Sequence, residues 1–358
     1  MNLLITGICG FAGSVLARTL LQHQSGLHIT GIDNLSRKGS ETNVEPLRKL
    51  GIDVRIGDVR NADELAKLPR ADFIIDCAAN PSVLAGMDGV SSSLSVMQHN
   101  LYGTVNLLER CKTWNAGFIL LSTSRVYSIP ALAALPLVEK PTRFSVNGDD
   151  PVRGWSEQGI SENFSTEPPV SLYGSTKLCS ELLALEYGAA FGFPVWINRC
   201  GVLAGAGQFG KADQGIFSYW IHSWKAARTL RYIGFGGNGN QVRDCLHPRD
   251  LADVLHRQMA DRSLSGQRIH HFSGGIANSM SLRELSDWCA RRFPALPCPI
   301  SRDANLEIRP FDIPWLVLDS TRSRDKWNWQ PQTPLEEILE EIARHAEANP
   351  DWLKLVVE

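Results

Sequence analysis

The sequence predicts an α/β protein built on one doubly wound parallel sheet. Three observations lead there. Short apolar runs alternate with helical patterns over residues 1–200. A glycine-spaced turn directly follows the first run and opens the first helical pattern. Beyond residue 200 the alternation loosens and Trp, Pro and Arg become denser, so a smaller C-terminal α/β region is expected there. Strand–helix alternation puts helices on both faces of a parallel sheet, with right-handed crossovers.

Each element has a local reason. "NLLIT" (2–6) reads as the first strand and 11–23 as the first helix. Strands follow at "HITGI" (28–32), "DVRI" (53–56), "FIIDC" (73–77), "FILLS" (118–122) and "PVWIN" (194–198). Helices are expected near 40–50, 61–67, 98–113 and 174–191. In the second half, "SMSLRELSDWCARRF" predicts a helix near 281–293 with Ser279 or Ser281 as cap. "PLEEILEEIARHAEA" predicts another near 334–348, with Pro334 at its start and acids in its first turn. The expected division is 1–200 and 201–358, with part of the second region returning to the sheet. Residues 128–170 are too long for a simple connection and read as a lid or substrate loop.

Composition narrows the class. The chain has 358 residues, 43% hydrophobic and 21% charged, with a net charge of −2. That is ordinary globular composition. Lys and Arg are scattered, so no nucleic-acid partner is expected. No apolar run approaches the ~20 residues that span a bilayer, so no membrane partner is expected either. "MNLLITG" has no secretory character, and the eight cysteines form no Cys-x-x-Cys pair. A cytoplasmic protein with reduced thiols and no metal is the expectation. His222, His247, His270 and His271 read as core or surface side chains, and Trp327 and Trp329 as packing.

Gly7, Gly10 and Gly13 are spaced Gly-x-x-Gly-x-x-Gly between strand and helix. The first permits the tight turn, the second lets backbone approach a pyrophosphate, and the third packs helix on strand. The helix N-terminus then offers free N–H groups to phosphate. Asp33 ends the second strand 20 positions after Gly13, where an acid reaches the adenosine ribose. Asp58 and Val59 follow the third strand beside the expected adenine. Ala78 and Ala79 follow the fourth and are small enough for a cofactor to lie over the strand ends.

"VSLYGSTKLC" places Tyr173 and Lys177 four residues apart, on one face of a helix. With the glycine spacing, Asp33 and "LSTSRVY" after the fifth strand, the chain resembles the extended short-chain dehydrogenase/reductase superfamily, the branch of nucleotide-sugar epimerases and dehydratases. "GNGNQVRDCLHPRDLADVL" (237–255) looks like that branch's substrate-region signature. "DNLSRKGS", "QFGKADQG" and "QVRDCLHPRD" are most similar to the CDP-paratose (CDP-tyvelose) 2-epimerases.

The resemblance implies a Rossmann-like fold, NAD as cofactor and a nucleotide-diphosphate sugar as substrate. It implies Thr123, Tyr173 and Lys177 as the catalytic trio. A free tyrosine has a pKa near ~10, and a neighbouring ammonium such as Lys177 would favour the phenolate. The implied cofactor contacts are Gly7, Cys9, Gly10, Phe11, Ala12, Asp33, Asn34, Ser36, Arg37, Asp58, Val59, Ala78, Ala79, Asn100, Ser122, Tyr173, Lys177 and Cys200. The implied substrate contacts are Ser124, Arg125, Gln208, Gln214, Arg243 and Arg309, with Lys211 beside them. Asp33 favours NAD, while Arg37 is a counter-signal for a 2′-phosphate. The dehydratases carry an Asp–Glu pair where this chain has Ser124 and Arg125, so dehydration lacks its acid and base. The implied activity is inversion at C2 of a CDP-activated deoxysugar through a transient keto-sugar. The alternatives are another enzyme of the branch, such as a UDP-sugar 4-epimerase, and a non-catalytic NAD-binding sensor or scaffold. Finally, helix 174–191 is apolar on more than one stripe (Leu178, Leu182, Leu183, Leu185, Ala189, Phe191). With helix 98–113 it predicts a homodimer or dimer of dimers through a four-helix bundle.

Overall fold

The computed structural model describes residues 1–23, 26–87, 89, 91–147, 152–301 and 311–357. Its main sheet has seven parallel strands: β1 (Asn2–Thr6), β2 (His28–Asp33), β3 (Asp53–Ile56), β4 (Phe73–Asp76), β5 (Gly117–Thr123), β6 (Val195–Cys200) and β7 (Ile269–Phe272). Their order is β7-β6-β5-β4-β1-β2-β3. The order reverses between β1 and β4, which opens a crevice at the carboxyl ends of the strands, where ligands bind in such sheets.

Two cores follow from the period of two along each strand. Leu3, Ile5, Phe73, Ile75 and Ile119 face one way, toward Leu16 and Leu20 of α1 (Phe11–His23). Leu4, Ile74, Phe118 and Leu120 face the other way. They meet Leu107 and Leu108 of α2 (Gly103–Trp114) and Ala184 of α3 (Ser171–Phe191). A third core joins α4 (Ile216–Lys225), α5 (Leu282–Arg292) and α6 (Leu335–Ala348) through Trp220, Trp224, Trp288, Leu339 and Ile342. Ser281 caps α5 with a full capping box to Glu284, as its sequence predicts.

Several elements differ from expectation. Helix 40–50 is split into a 3₁₀ turn, Ser40–Asn43, and a helix, Val44–Lys49. Residues 98–102 form a π-helical turn before α2 instead of its first α-turn. The strand β7, at a position not among the expected strands, comes from beyond residue 200 and pairs with β6 at the sheet edge. The segment expected to be a lid or substrate loop bonds to the C-terminal region over its described residues, which leaves that expectation open. Phe144 N–H donates to the Asn240 carbonyl (2.9 Å) and Ile160 N–H to that of Val317 (2.8 Å). Trp155, Ile160 and Phe164 share a core with Val242, Trp315 and Leu318.

Candidate active site

The glycine turn is built by close approach. Gly7 has φ 61°, in the left-handed region, and a Cβ there would lie 3.0 Å from Ala78 backbone. A Cβ on Gly13 would lie 2.3 Å from the Gly7 carbonyl oxygen. Helix α1 can therefore sit on β1 only with glycine at 13. Cys9, Gly10, Phe11 and Ala12 lie on this turn and the first residues of α1. Asp33 closes the turn from β2: its carboxylate accepts N–H of Cys9 (2.9 Å) and of Leu35 (2.8 Å). Burial raises its pKa, and these backbone N–H groups oppose the shift. A carboxylate has about four acceptor directions, so some remain for ribose hydroxyls. The glycine cradle and this acid fit a dinucleotide.

Nearby, Asn34 Nδ2 donates to Asp58 (2.9 Å), and Ser36 N–H donates to Asn34 Oδ1 (3.0 Å). Asp58 also pairs with Arg60, and this hydrogen-bonded guanidinium holds its carboxyl below the usual range. Val59 packs under α2, where Asn106 Nδ2 donates to its carbonyl (3.0 Å). Ala79 sits with Ala78 just past β4. Arg37, the counter-signal, is engaged elsewhere: it donates to Gln214 Oε1 (2.8 Å) and to the Phe209 carbonyl.

At the ends of β5 and β6, Thr123 and Cys200 are register partners. The Thr123 side chain is close enough to the Tyr173 phenol to favour its ionised form, and its hydroxyl accepts the Arg125 N–H (3.1 Å). A Cβ on Gly174 would lie 2.3 Å from the Arg125 carbonyl oxygen. Glycine in "YGSTK" thus lets α3 press Tyr173 against this segment. Tyr173 and Lys177 are 7% and 2% exposed. Burial pushes the Tyr173 phenol up to about 12, opposed by the Thr123 side chain and then by the Arg125 charge. Burial outweighs what lowers it.

Two expected cofactor contacts have side chains committed to protein. Asn100, in the π-turn, donates to the Asn80 carbonyl (3.0 Å) and to Thr176 Oγ1 (3.2 Å), and accepts the Asn80 N–H (2.7 Å). The Ser122 hydroxyl donates to Glu181. On the substrate side, Ser124 is buried, and Arg125 Nη1 donates to the Phe311 carbonyl (3.2 Å). Gln208 Nε2 donates to the Leu203 carbonyl (2.7 Å), and Lys211 and Gln214 bond each other through backbone. Arg243 pairs with Asp312 (3.2 Å) and donates to the carbonyls of Val242 (2.7 Å) and Ile313 (2.8 Å). Arg309 lies outside the described residues. Among those residues no group of three or more His, Cys, Asp or Glu side chains is placed to hold a metal.

A doubly wound sheet with a glycine cradle and an acid at the second strand defines a dinucleotide-binding enzyme. Residues 3–270 match the NAD dependent epimerase/dehydratase family, and the chain belongs to it. It is an NAD-dependent enzyme. The CDP-paratose 2-epimerase of Salmonella typhi is 29% identical, covering 96% of this chain and 98% of that protein. The UDP-glucose 4-epimerase of Caenorhabditis elegans is 28% identical, covering 98% and 99%. In fold, the chain is similar to the Bacillus cereus UDP-glucuronic acid 4-epimerase solved with UDP-glucuronic acid and NAD. The TM-score is 0.77, at 22% identity, over 97% of this chain and 99% of that one.

Calorimetry should show NAD binding more tightly than NADP, because the Asp33 carboxylate repels a 2′-phosphate and Arg37 is already engaged. Asp33→Ala should weaken NAD roughly 10- to 150-fold, the loss of about 1.5–3 kcal/mol for bonds to a charged group. Equal or tighter NADP binding by the unmodified protein contradicts this.

Proposed function

We propose that this NAD-dependent nucleotide-sugar epimerase inverts C2 of a CDP-activated deoxysugar. The observation that carries the reading is the buried Tyr173 phenol beside Thr123 at the mouth of the sheet, with Lys177 one turn on and no acid–base pair at Ser124 and Arg125. Its finer half, the CDP-sugar and C2, is supported by the near full-length likeness to the Salmonella typhi protein. The comparable likeness to a UDP-glucose 4-epimerase favours, as second reading, inversion at C4 of a UDP-sugar.

The C–H of an unactivated sugar carbon is not acidic, so inversion requires transient oxidation to the ketone. When bound, NAD supplies a hydride acceptor whose nicotinamide ring carries positive charge. Residues of the glycine turn and Asp33 hold it. Tyr173 takes the proton of the sugar hydroxyl and later returns it, while Thr123 hydrogen-bonds the same sugar oxygen. A phenol near 12 is a poor base at neutral pH, and positive charge beside it brings it toward the working range. Arg125 already acts on the phenol without the cofactor, so the further charge would be that of the nicotinamide ring. Arg243 holds the diphosphate while the keto-sugar presents its other face, exchanging bonds to Asp312 and Ile313 for phosphate oxygens. Arg309 has the same proposed role.

The chain should also assemble as a dimer. Leu182, Ala189 and Phe191 of α3 are exposed, as are Tyr102 beside α2 and Leu94 in the neighbouring helix Ser93–Met97. Leu178, Leu183 and Leu185 are partly buried against the protein's own core. Tyr187 of α3 bonds Glu109 of α2 (2.9 Å), so the two helices form one face. A second copy of that face completes a four-helix bundle.

Turnover assays with CDP-paratose and UDP-glucose separate the two readings: the first is expected to be epimerised, and turnover of UDP-glucose alone overturns the C2 reading. In heavy water the inverted carbon should carry no solvent deuterium. Tyr173→Phe should lose most turnover while still binding NAD. Arg243→Ala should raise KM for the sugar nucleotide about 10-fold or more, for a lost charge-assisted bond, with NAD affinity unchanged. Light scattering at micromolar concentration should give at least a dimer.

A further inference from the structure

Below the reacting trio lies the most deeply buried ion pair among the described residues. Glu181 of α3 and Arg199 of β6 are 1% and 4% exposed. Arg199 Nε donates to both carboxylate oxygens, at 3.0 and 3.1 Å, and Nη2 donates at 2.6 Å. The Ser122 hydroxyl donates to the same carboxylate. Arg199 Nη1 reaches the Tyr127 hydroxyl (3.0 Å), which also bonds His271 of β7. Carboxylate and guanidinium thus tie α3 to β5 and β6, and through Tyr127 to β7.

The placement relative to the chemistry is specific. Tyr173, Lys177 and Glu181 are spaced four apart on one stripe of α3, and all three are buried. Ser122 and Arg199 are register partners, and the next pair along the same two strands is Thr123 and Cys200. One carboxylate therefore grips the strands one residue before the Thr123 position and the helix one turn after Lys177.

We propose that Glu181 and Arg199 are positioning residues that set where the Tyr173 phenol and the Lys177 ammonium stand relative to Thr123. Glu181 lies about 12 Å along the helix axis from Tyr173, eight residues at 1.5 Å each. Over that lever a tilt of a few degrees displaces the phenol by about 1 Å, and such a misplacement costs roughly 100-fold in rate. A pair present only to hold the core together makes no such demand, since buried ion pairs are often replaced by apolar side chains without loss of stability. The proposal rests on reading Thr123, Tyr173 and Lys177 as the reacting trio.

The test is the double variant Glu181→Leu/Arg199→Met, with Glu181→Gln as the isosteric variant should the double one fail to fold. Crystal structures of the NAD-bound variant and unmodified protein come first. The expected result is a displaced α3, with the Tyr173 oxygen about 1 Å from its original place relative to Thr123 Oγ1. An unmoved Tyr173 in a folded variant overturns the proposal, whatever the substrate proves to be. Kinetics follow with whichever of CDP-paratose and UDP-glucose the unmodified enzyme turns over. There kcat should fall about 10- to 100-fold, with KM and NAD affinity within about twofold. Near-normal kcat also overturns it. Tyr173→Phe, run beside these, separates the two ideas. If that variant keeps turnover, the trio itself is misread; if it loses turnover while the double variant does not, only the positioning role falls.

Discussion

A helix that lays a phenol, an ammonium and a carboxylate along one stripe against an apolar sheet must find each of them a partner. Leaving a buried charge unpaired costs far more than any single contact returns. In this fold the partners of the carboxylate and the neighbour of the phenol come from strand ends. Because the strands are parallel, β5 and β6 end at one edge, and their last residues present Ser122, Thr123 and Arg199 side by side. Glu181 takes Arg199 and Ser122, and Tyr173 stands beside Thr123. The helix can come close enough only because Gly174 leaves room for the Arg125 carbonyl. A polar π-turn on the neighbouring element seals the other side, with Asn100 bonding both the loop after β4 and Thr176. π-turns of this kind concentrate at functional sites.

Much of the fold was legible because its strands are short apolar runs with turn residues between them. Where that signal fails, the reading fails. β7 is Ile269–Phe272, "IHHF", and two histidines in four residues do not read as a buried strand. They are nonetheless fully buried: His271 has the Tyr127 hydroxyl and the Asp319 carbonyl as partners, and His270 has the Gln267 carbonyl at Nε2 while its Nδ1 has none among the described residues. Burial keeps both below the usual imidazole pKa. The anchoring of residues 128–170 was hidden for a related reason. Its bonds run to Asn240, Val317, Ser281 and His271, partners more than 90 residues away in the chain. No local periodicity records such contacts.

The candidate site was legible where backbone geometry demands a residue type. Glycines at 7 and 13 are required by close approach, and spacing reveals them. Charge placement was harder. The spacing of Tyr173 and Lys177 suggests an ammonium acting on a phenol, but it carries no sign of the burial that raises that phenol's pKa or of the Arg125 charge that opposes it. Glu181 and Arg199 went unread although each carries a signal. Glu181 continues the four-residue stripe of Tyr173 and Lys177, and Arg199 interrupts the apolar run "VWINRC". A charge inside a buried strand needs an opposite charge nearby, and the helix before that strand supplies one.

The segment Gln208–Gln214 shows why a division of the chain near residue 200 is not a division of the working unit. Its Gln214 takes Arg37 from the loop after β2, and its Asp213 accepts the Ser82 hydroxyl from the loop after β4 (2.5 Å). Phe209 stacks on Trp352 at 5.5 Å, at the start of α7 (Trp352–Val357), and packs with Phe11 at the head of α1. One short strap thus touches both loops that flank the glycine turn, the first residue of the helix that follows it, and the C-terminal end of the chain. Any motion that opens one flank of the crevice must break bonds made by residues counted with the other region. Arg37 shows the consequence at a single side chain. Its position beside Asp33 suggests a phosphate-binding cation, but its hydrogen bonds are spent on holding the strap, and a guanidinium so engaged gives up those bonds before it turns to a ligand.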